Sequence, residues 1–448
     1  MISKVYPKYK PSGVEWLGDV PEHWGVKRVK FITNVNGRIG FRGYTVEDLV
    51  DEGEGALVLG GTNLSKNGKV DLQKRTYLKW DKYHESPEIK VSKGDILLGQ
   101  RGTCGFPICI DFDIGHSTIN PSLVIIKASL HNSSFLCFWL MNDFMKSIVD
   151  NMVSSTAVPM LSQEQIGNFC VLLPPLPEQQ AIAAFLDRET GRIDSLIAKK
   201  QRLLELLAEQ RTALISRAVT KGLDATVKLK PSGVEWLGDV PEHWEIWKLA
   251  HLTTRIGSGK TPTGGADVYQ TEGVLFLRSQ NVYDDGLYLD DVVYIDEKID
   301  KEMAWSRVKP KDILLNITGA SLGRTCITPK DLGRANVNQH VCVIRLNKSD
   351  YSSFIAQYLK SRPAKSFYDF AQTGSAREGL NFEQIGAFPI TLPPLPEQQA
   401  IAAFLDRETA KIDTLSVKVA AVIERLKEYR TALISSAVTG KIDVRGAL

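Results

Sequence analysis

The chain has 448 residues, of which 43% are hydrophobic and 24% are charged, and its formal net charge is +3. This length predicts two to four domains of about 100–200 residues, and the composition excludes a largely disordered chain. No apolar run reaches the roughly 18 residues of a membrane span, and Met1–Lys4 lacks a signal-peptide core, so we expect a cytoplasmic protein. So small a net charge does not by itself indicate a nucleic-acid partner.

Two copies of one repeat make up the chain. Identical segments recur at an offset of about 219 residues, which is the signature of a duplicated structural unit. The segments are KPSGVEWLGDVPEHW at residues 10–24 and 230–244, LPPLPEQQAIAAFLDRET at 173–190 and 392–409, and RTALIS at 211–216 and 430–435.

Between the identical segments the copies diverge, and we call these parts the first module (about residues 25–172) and the second module (about residues 245–391). Short apolar runs between turns predict strands, and one apolar segment in each module predicts a short helix, so each module is mixed α/β (α+β). The predicted strands are Ala56–Leu59, Asp95–Leu98, Ser122–Ile126, Val274–Leu277, Ile313–Asn316 and Val341–Ile344, and the short helices are Phe135–Met141 and Phe354–Leu359.

A long helix is predicted after each module. Pro177 and Pro396 suit a first helical turn, and Gly222 and Gly440 suit the residues after a helix end. Apolar residues spaced alternately by four and three positions predict a seam along each helix. The seam residues are Ile182, Leu186, Ile193, Leu196, Leu203 and Leu207 in the first copy and Ile401, Leu405, Ile412, Leu415, Val422 and Leu426 in the second.

One apolar stripe on a long helix requires a partner, and the nearest candidate is the duplicate helix. Because two like helices about an approximate two-fold axis run antiparallel, we expect an intramolecular, pseudo-two-fold coiled coil with a globular module at each end. This predicts four segments: module-bearing domains at residues 1–172 and 223–391, and spacer helices at 173–222 and 392–448.

Catalytic motifs are not evident. The segment Gly257–Thr261 resembles the end of a phosphate-binding loop, but Thr254 stands where that motif needs glycine and Pro262 would interrupt the following helix. The six cysteines form no Cys-x-x-Cys pair, so neither a metal site nor a disulfide framework is predicted. The tryptophan and histidine residues shared by both copies, Trp16, His23, Trp24, Trp236, His243 and Trp244, are interpreted as packing a common junction rather than as base-stacking groups.

The paired SGVEWLGDVPEHW segments, the PLPEQ-headed helices and the diverged modules together resemble the specificity subunits of Type I restriction-modification systems. The resemblance covers essentially the whole chain. It implies that each module is a target-recognition domain for one half of an asymmetric, bipartite DNA site, and that the helices set the spacer and dock two methyltransferase subunits. It further implies that the chain is not an enzyme, and that S-adenosylmethionine, ATP and magnesium are used by the methyltransferase and restriction subunits.

Base readout favours arginine or lysine for guanine and asparagine or glutamine for adenine, and basic side chains also contact phosphates. Polar and basic residues in turns between the predicted strands are therefore the candidate DNA contacts, together with the loops at residues 154–159 and 373–379. The candidates are Arg38, Arg42, Thr62, Asn63, Lys66 and Arg101 in the first copy, and Lys260, Thr261, Arg278, Gln280, Asn281, Arg324, Gln339 and Arg377 in the second.

Two alternatives are consistent with parts of this pattern. The chain could be a non-enzymatic, two-fold adaptor whose modules bind proteins, or a stand-alone ATPase. DNA binding weakens steeply with salt, whereas an apolar protein contact does not, so salt dependence separates the first alternative from a DNA reader. An ATPase must bind and turn over ATP as an isolated chain.

Overall fold

The structure is a computed structural model that describes residues 5–38, 43–65, 68–102, 104–128, 130–153, 159–372 and 379–446. The chain forms two compact units. The first unit contains residues 1–200 and 421–448, and the second unit contains residues 201–420. These two units differ from the four consecutive segments predicted from the sequence, because each unit takes residues from both long helices. The boundaries of the four segments stay a prediction. No helix in the described ranges is both long and apolar enough to cross a membrane.

The two short and two long helices predicted from the sequence are present in the predicted order. The two long helices contain 46 and 44 residues. In chain order the helices are α1 (Trp80–His84), α2 (Ser133–Met141), α3 (Asp143–Val153), α4 (Gln163–Gly167), α5 (Leu176–Lys221), α6 (Glu297–Glu302), α7 (Ser352–Leu359), α8 (Arg362–Gln372), α9 (Phe382–Ala387) and α10 (Leu395–Val438).

Among the described residues of the first unit, the strands form two four-stranded sheets and two strand pairs. Its strands are β1 (Tyr9–Pro11), β2 (Asp19–Pro21), β3 (Gly25–Arg28), β4 (Asn34–Gly37), β5 (Leu49–Val50), β6 (Gly55–Leu59), β7 (Tyr77–Lys79), β8 (Ile96–Gly99), β9 (Pro107–Cys109), β10 (Ser117–Ile119), β11 (Leu123–Lys127) and β12 (Cys170–Leu173). The sheets have the orders β10-β6-β7-β5, with β10 and β6 parallel, and β4-β11-β8-β9, which is antiparallel throughout. β1 pairs with β2, and β3 pairs with β12.

The second unit repeats this plan. Its strands are β13 (Leu229–Pro231), β14 (Asp239–Pro241), β15 (Glu245–Lys248), β16 (Thr253–Ser258), β17 (Val274–Leu277), β18 (Val282–Tyr283), β19 (Gly286–Leu287), β20 (Val293–Ile295), β21 (Ile313–Asn316), β22 (Thr325–Ile327), β23 (Ala335–Val337), β24 (Val341–Leu346) and β25 (Pro389–Leu392). The larger sheet has the order β16-β24-β21-β22, and a three-stranded sheet has the order β20-β17-β23 with β17 and β23 parallel. β13 pairs with β14, β15 with β25, and β18 with β19.

The strand and short-helix predictions are confirmed in both units. All six predicted strands coincide with β6, β8, β11, β17, β21 and β24, and the two short helices coincide with α2 and α7. Alternate residues of β8 and β11 explain why their central positions are all apolar. Leu97 and Ile125 pack toward the β6 sheet, while Leu98 and Val124 pack toward α2. A sheet covered on both faces buries both sets of side chains.

In the first unit, the start of α5 packs against the end of α10. Arg430 of α10 donates a hydrogen bond to Asp194 of α5 at 2.9 Å. Arg445, which follows α10, lies 3.9 Å from Glu178 at the start of α5. The residue numbers of one segment rise as those of the other fall, so the two segments in this unit run in opposite directions.

An equivalent arrangement occurs in the second unit, with the roles of the helices exchanged. Arg211 of α5 donates to Asp413 of α10 at 3.1 Å. A Cβ atom on Gly222, just after α5, would lie 3.2 Å from Oε1 of Glu397 at the start of α10. These two segments also run in opposite directions within their unit.

Three of the predicted seam residues are exposed, and the seam as a whole stays a prediction. Leu196, Leu415 and Val422 are 41%, 45% and 39% exposed, whereas the other predicted seam residues are buried or half-buried. Thr190 and Thr409 take inward positions, and each hydroxyl donates to a carbonyl one turn earlier at 2.7 Å. An α-helix has 3.6 residues per turn, so a strict 3.5-residue pattern drifts by about 20° per heptad and moves its members off the buried face.

The identical segments of each repeat meet at a junction between the module and its long helix. In the first unit His23 Nε2 lies 2.8 Å from Glu178 Oε2, and in the second His243 Nε2 lies 2.9 Å from Glu397 Oε2. Trp24, which follows His23 in the PEHW segment, is fully buried, as is its counterpart in the second unit. Junction packing is therefore confirmed for Trp24 and Trp244, while half-buried Trp16 and Trp236 pack on Phe144 and Phe370 instead.

Glycine is required where each long helix ends against this junction. Gly440 has φ +73°, and a Cβ atom there would lie 2.5 Å from the Pro21 side chain and 3.2 Å from the Trp24 ring. Gly222 has φ +76°, and its Cβ would lie 3.3 Å from the Trp244 ring. Because a side chain would be strained and crowded at both sites, only glycine lets the helix end close on the indole.

One difference between the junctions gives a matched test. Trp244 Nε1 donates to Glu397 Oε1 at 3.1 Å, whereas Trp24 Nε1 has no hydrogen-bond partner among the described residues. We expect Trp244→Phe to destabilise the second unit by about 2 kcal/mol more than Trp24→Phe destabilises the first, because only Trp244 loses a bond to a charged acceptor. Hydrogen exchange of amides in each unit measures the two losses, and equal losses would contradict this assignment.

Candidate nucleic-acid interface

In the second unit, five loops meet at one edge of the two sheets, and we call them the second loop cluster. The loops follow β16, β17 and β21, connect β23 to β24, and precede α9. The backbone N–H of Gly259 donates to the carbonyl of Asn338 at 3.1 Å, and that of Asn338 donates to Leu277 at 3.0 Å. The N–H of Ile317 donates to His340 at 3.0 Å, and that of Leu380 donates to Ile317 at 2.9 Å. Backbone bonds therefore hold all five loops together.

The first unit has an equivalent first loop cluster. The N–H of Asn120 donates to Leu59 at 2.8 Å, that of Gln100 to Ser122 at 2.9 Å, and that of Leu161 to Gln100 at 2.8 Å. The loops after β6 and β8, the β10–β11 connection and the segment before α4 thus meet as their counterparts do. Parallel pairing of β6 with β10, and of β17 with β23, places the carboxyl ends of each pair at the same edge.

Gly259 explains the glycine-rich segment that resembled a phosphate loop. A Cβ atom at this position would lie 1.7 Å from the carbonyl oxygen of Val337, so the backbones could not approach with any other residue. Gly257 and Ser258 belong to β16, and the next helical turn is a short 3-10 turn, Gly265–Val268. The segment is the end of an antiparallel strand, which is not the strand-to-helix geometry of a phosphate-binding loop.

Three predicted contact residues, Arg38, Asn63 and Asn281, are buried in the loop clusters. The Asn63 amide accepts from the N–H of Gly60 at 2.9 Å, and it donates to the carbonyls of Asp71 and Lys74 at 2.8 and 3.0 Å. Its hydrogen bonds are therefore used within the first unit, where they fix the loop after β6.

Asn281 is the counterpart of Asn63 and does the same in the second unit. Its amide accepts from the N–H of Arg278 at 3.0 Å and donates to the carbonyls of Tyr288 and Asp291 at 3.0 and 2.9 Å. Both asparagines lie in 3-10 turns, Gly61–Asn63 and Ser279–Asn281. The two copies have kept the same support for this loop while the residues around it changed.

Arg38 is only 6% exposed and connects β4 to β10. Its Nε donates to the carbonyl of Ile119 at 2.9 Å, and an Nη donates to the hydroxyl of Thr118 at 3.0 Å. Burial lowers the pKa of this guanidinium from its ordinary value. The placement supports a role in holding the loop cluster, and base contact by Arg38, Asn63 or Asn281 stays a prediction.

The remaining described candidates reach solvent. Arg278 and Arg324 are half-buried: Arg278 lies 3.5 Å from Asp291 Oδ1, and Arg324 lies over the Tyr283 ring at 4.4 Å. Thr62, Arg101, Lys260, Thr261, Gln280 and Gln339 are exposed in or beside the loop clusters. The predicted contacts Arg42, Lys66 and Arg377, residues 154–158 of the first predicted loop and residues 373–378 of the second lie outside the described residues.

Four residues of the loop clusters were not predicted from the sequence: Thr318, His340, Asn120 and Asn338. His340 Nδ1 lies 2.6 Å from the Thr318 hydroxyl, and its Nε2 lies 2.8 Å from Gln339 Nε2. Asn338 Oδ1 accepts the N–H of His340 at 3.0 Å, and Asn120 Oδ1 accepts that of Ser122 at 2.9 Å. An asparagine two or three residues before the third predicted strand of each copy was a usable signal for this connection.

The long helices carry a second pair of equivalent surfaces, which we call the helix grooves. Each is an open surface along one face of a single helix, and it combines basic side chains, small residues and one exposed leucine. The groove on α5 is lined by Arg188, Gly191, Arg192, Ser195, Leu196 and Lys199, and the groove on α10 by Arg407, Ala410, Lys411, Thr414, Leu415 and Lys418. Within the described ranges, no group of three or more histidine, cysteine, aspartate or glutamate side chains is arranged to hold a metal ion.

The family model for the Type I restriction modification DNA specificity domain matches the chain twice, at residues 41–206 and 241–425. The two matches cover both modules and the greater part of both long helices. The chain belongs to this family. The resemblance seen in the duplicated segments is therefore confirmed.

Individual relatives agree with this assignment. The chain is 25% identical over 366 residues to the Type I restriction enzyme MjaVIII specificity subunit of Methanocaldococcus jannaschii, covering 80% of this chain and 81% of the relative. It is 26% identical over 307 residues to the EcoBI specificity subunit of Escherichia coli, covering 66% of this chain and 63% of the relative.

Solved structures share the fold. A chain from a structure on complex assembly and conformational transition of the type I R-M system has a TM-score of 0.66 at 16% identity, covering 94% of this chain and 99% of that one. The HsdS subunit from Thermoanaerobacter tengcongensis has a TM-score of 0.50 at 17% identity, with coverage of 96% and 98%. Identities this low carry the fold alone.

The buried asparagines of the loop clusters give a direct test. We expect Asn63→Ala and Asn281→Ala each to cost about 2 kcal/mol of stability, because each removes a buried amide that bonds one N–H and two carbonyl groups. The Asp291 carbonyl also accepts from Arg278, so Asn281→Ala leaves one N–H and one carbonyl without a partner. Gln280→Ala removes the exposed neighbouring amide and should change stability by less than about 0.5 kcal/mol. Denaturant unfolding of the full chain measures the differences, and similar values for Asn281→Ala and Gln280→Ala would contradict the support role.

Proposed function

We propose that this chain is the non-catalytic DNA-specificity subunit of a Type I restriction-modification complex, and that each loop cluster reads one half of an asymmetric, bipartite site. The observation that carries the proposal is a retained scaffold with changed surface groups. Asn63 and Asn281 support the same turn, yet the exposed neighbours are Thr62 in one copy and Gln280 in the other. Such a pattern is expected when two copies read different bases with one fold.

Separated readers require an unread spacer between the half-sites, and the long helices are proposed to set its length. Two readers on one face of B-DNA contact half-sites about one helical turn, or 34 Å, apart. The duplication supports this arrangement because it supplies one reader and one long helix per half-site. A target found to be continuous, with every position read, would contradict it.

The catalytic functions are proposed to belong to partner subunits. Two methyltransferase subunits would bind S-adenosylmethionine, and restriction subunits would use ATP and magnesium, while this chain supplies the site choice. The equivalent helix grooves on α5 and α10 support two equivalent docking sites, one for each methyltransferase subunit. Because the complex is proposed to act on DNA, its proposed location is the cytoplasm.

Reconstitution with the modification subunit tests the proposed function. We expect the mixture to methylate duplex DNA at a two-part sequence, and neither component alone to do so. Raising the salt concentration from 50 to 200 mM should weaken binding by about 10³-fold or more if six to ten phosphates are contacted. An adaptor for proteins would instead show no sequence preference and little loss with salt, and ATP turnover by the isolated chain would support the ATPase alternative.

Charge and size changes in the helix grooves test the docking sites. Leu196→Glu and Leu415→Glu place a carboxylate on an exposed apolar contact, so each variant should keep its fold and lose one methyltransferase subunit of the two. At a buried interface centre we expect a loss of about tenfold or more in affinity. Leu206→Glu, at a leucine on α5 that is 45% exposed and lies outside the groove, is the matched control.

Native mass spectrometry of the assembled complex gives the stoichiometry of each variant. The double variant Leu196→Glu with Leu415→Glu should bind no methyltransferase subunit. Two bound subunits in this double variant would contradict docking at the helix grooves.

A further inference from the structure

Gln339 is held by a short hydrogen-bonded chain in the second loop cluster. Its Nε2 lies 2.8 Å from His340 Nε2, and His340 Nδ1 lies 2.6 Å from the Thr318 hydroxyl. The backbone of this chain is also fixed, because the N–H of His340 donates to Asn338 Oδ1 and its carbonyl accepts from Ile317, both at 3.0 Å. An exposed glutamine is therefore held through its amide by a neighbour whose own backbone is fixed at both its N–H and its carbonyl, which is unusual for a solvated side chain.

The chemistry of these groups fixes the direction of the bonds. An amide nitrogen only donates, so His340 Nε2 must accept, and in the neutral ring Nδ1 then carries the proton and donates to Thr318. Gln339 uses one of its two N–H bonds in this contact. Its second N–H and its Oε1 stay available, and this donor–acceptor pair matches N7 and N6–H₂ of adenine in the major groove.

The first unit has different residues at the equivalent places. When Asn120 is matched to Asn338, Pro121 corresponds to Gln339 and Ser122 to His340. The Ser122 hydroxyl accepts from the backbone of Gly61 at 2.8 Å. Pro121 carries no side-chain amide, so the position equivalent to Gln339 cannot make the same contact. The hydrogen-bonded chain of Gln339, His340 and Thr318 therefore has no counterpart at the equivalent connection of the first unit. Its effect is expected at one half-site.

We propose that Gln339 reads an adenine in the half-site of the second unit, and that His340 and Thr318 are positioning residues that hold its amide in the reading orientation. This inference rests on the proposed function, since it assigns a base to a site already argued to bind DNA. Preorganisation carries the effect: a glutamine that is ordered before binding loses less side-chain entropy on contact.

Site mapping with the reconstituted complex of the full chain and its modification subunit tests the assignment. Methylation is measured on duplexes in which each position of the wild-type site is varied in turn. Gln339→Ala should reduce the preference at one A·T pair of one half-site by roughly 10-fold, within the range expected for one bidentate contact. Gln339→Glu should shift the preference at that pair toward cytosine, whose N4 amine donates to a carboxylate.

Positioning is tested at the same base pair. His340→Phe keeps a ring but removes both nitrogens, so it should weaken the preference at this pair and leave the other half-site unchanged. His251→Phe replaces an exposed histidine elsewhere in the same unit, and Gln399→Ala replaces an exposed glutamine on α10, and both should keep the wild-type preferences. Unfolding curves confirm that each variant is folded.

The outcomes separate this inference from the proposed function. A wild-type complex without any sequence preference would overturn the proposed function itself. The adenine assignment alone would be overturned if the wild-type complex recognised a bipartite site and Gln339→Ala kept every base preference. Loss of a preference at a G·C pair in Gln339→Ala would also overturn it. If His340→Phe lost the base preferences in both half-sites, His340 would have a general structural role and the positioning role would be overturned.

Discussion

The contact between the PEHW segment and the PEQ-headed helix is the constraint on which each unit depends. The Nε2 atoms of His23 and His243 lie 2.8 and 2.9 Å from Oε2 of Glu178 and Glu397, at the point where a module meets a long helix. The adjacent indole fills the core and leaves room only for glycine at the incoming helix end. Because the segments involved must fit one another, change in one would require change in the others, whereas the loop clusters at the far edges of the sheets carry no such requirement.

This division explains how one fold supports different readers. Three of the backbone bonds that gather the loops occur at equivalent places in both copies. So do the asparagines that support the turn after the first buried strand. The exposed groups between them differ: Arg101 stands where the second unit has Thr318, and Pro121 where it has Gln339. Specificity can therefore change at single side chains without altering the hydrogen bonds that hold the loops in place.

Much of the fold could be predicted because apolar periodicity and internal repetition are encoded locally. All the predicted strands and helices formed, and the helix ends follow from proline and glycine. The predicted seam residues Leu196, Leu415 and Val422 are exposed, because a small angular drift decides which face of a helix is buried. Polar residue type could not separate the buried supports Arg38, Asn63 and Asn281 from exposed groups such as Gln339, since that distinction depends on which distant backbone groups need partners. His340 was missed for the same reason.

The exchange of helix ends has a consequence for biosynthesis. The core of the first unit includes Ile434, Ala437 and Val438, from the end of α10, together with residues of the first module. The ribosome makes that module more than 200 residues earlier than it makes these core side chains. The nascent first unit therefore keeps an open apolar face during translation of the whole second module, while the second unit finds all its parts between residues 201 and 420. The second unit can therefore complete its core first, although its module is encoded later. The first unit must complete its core last.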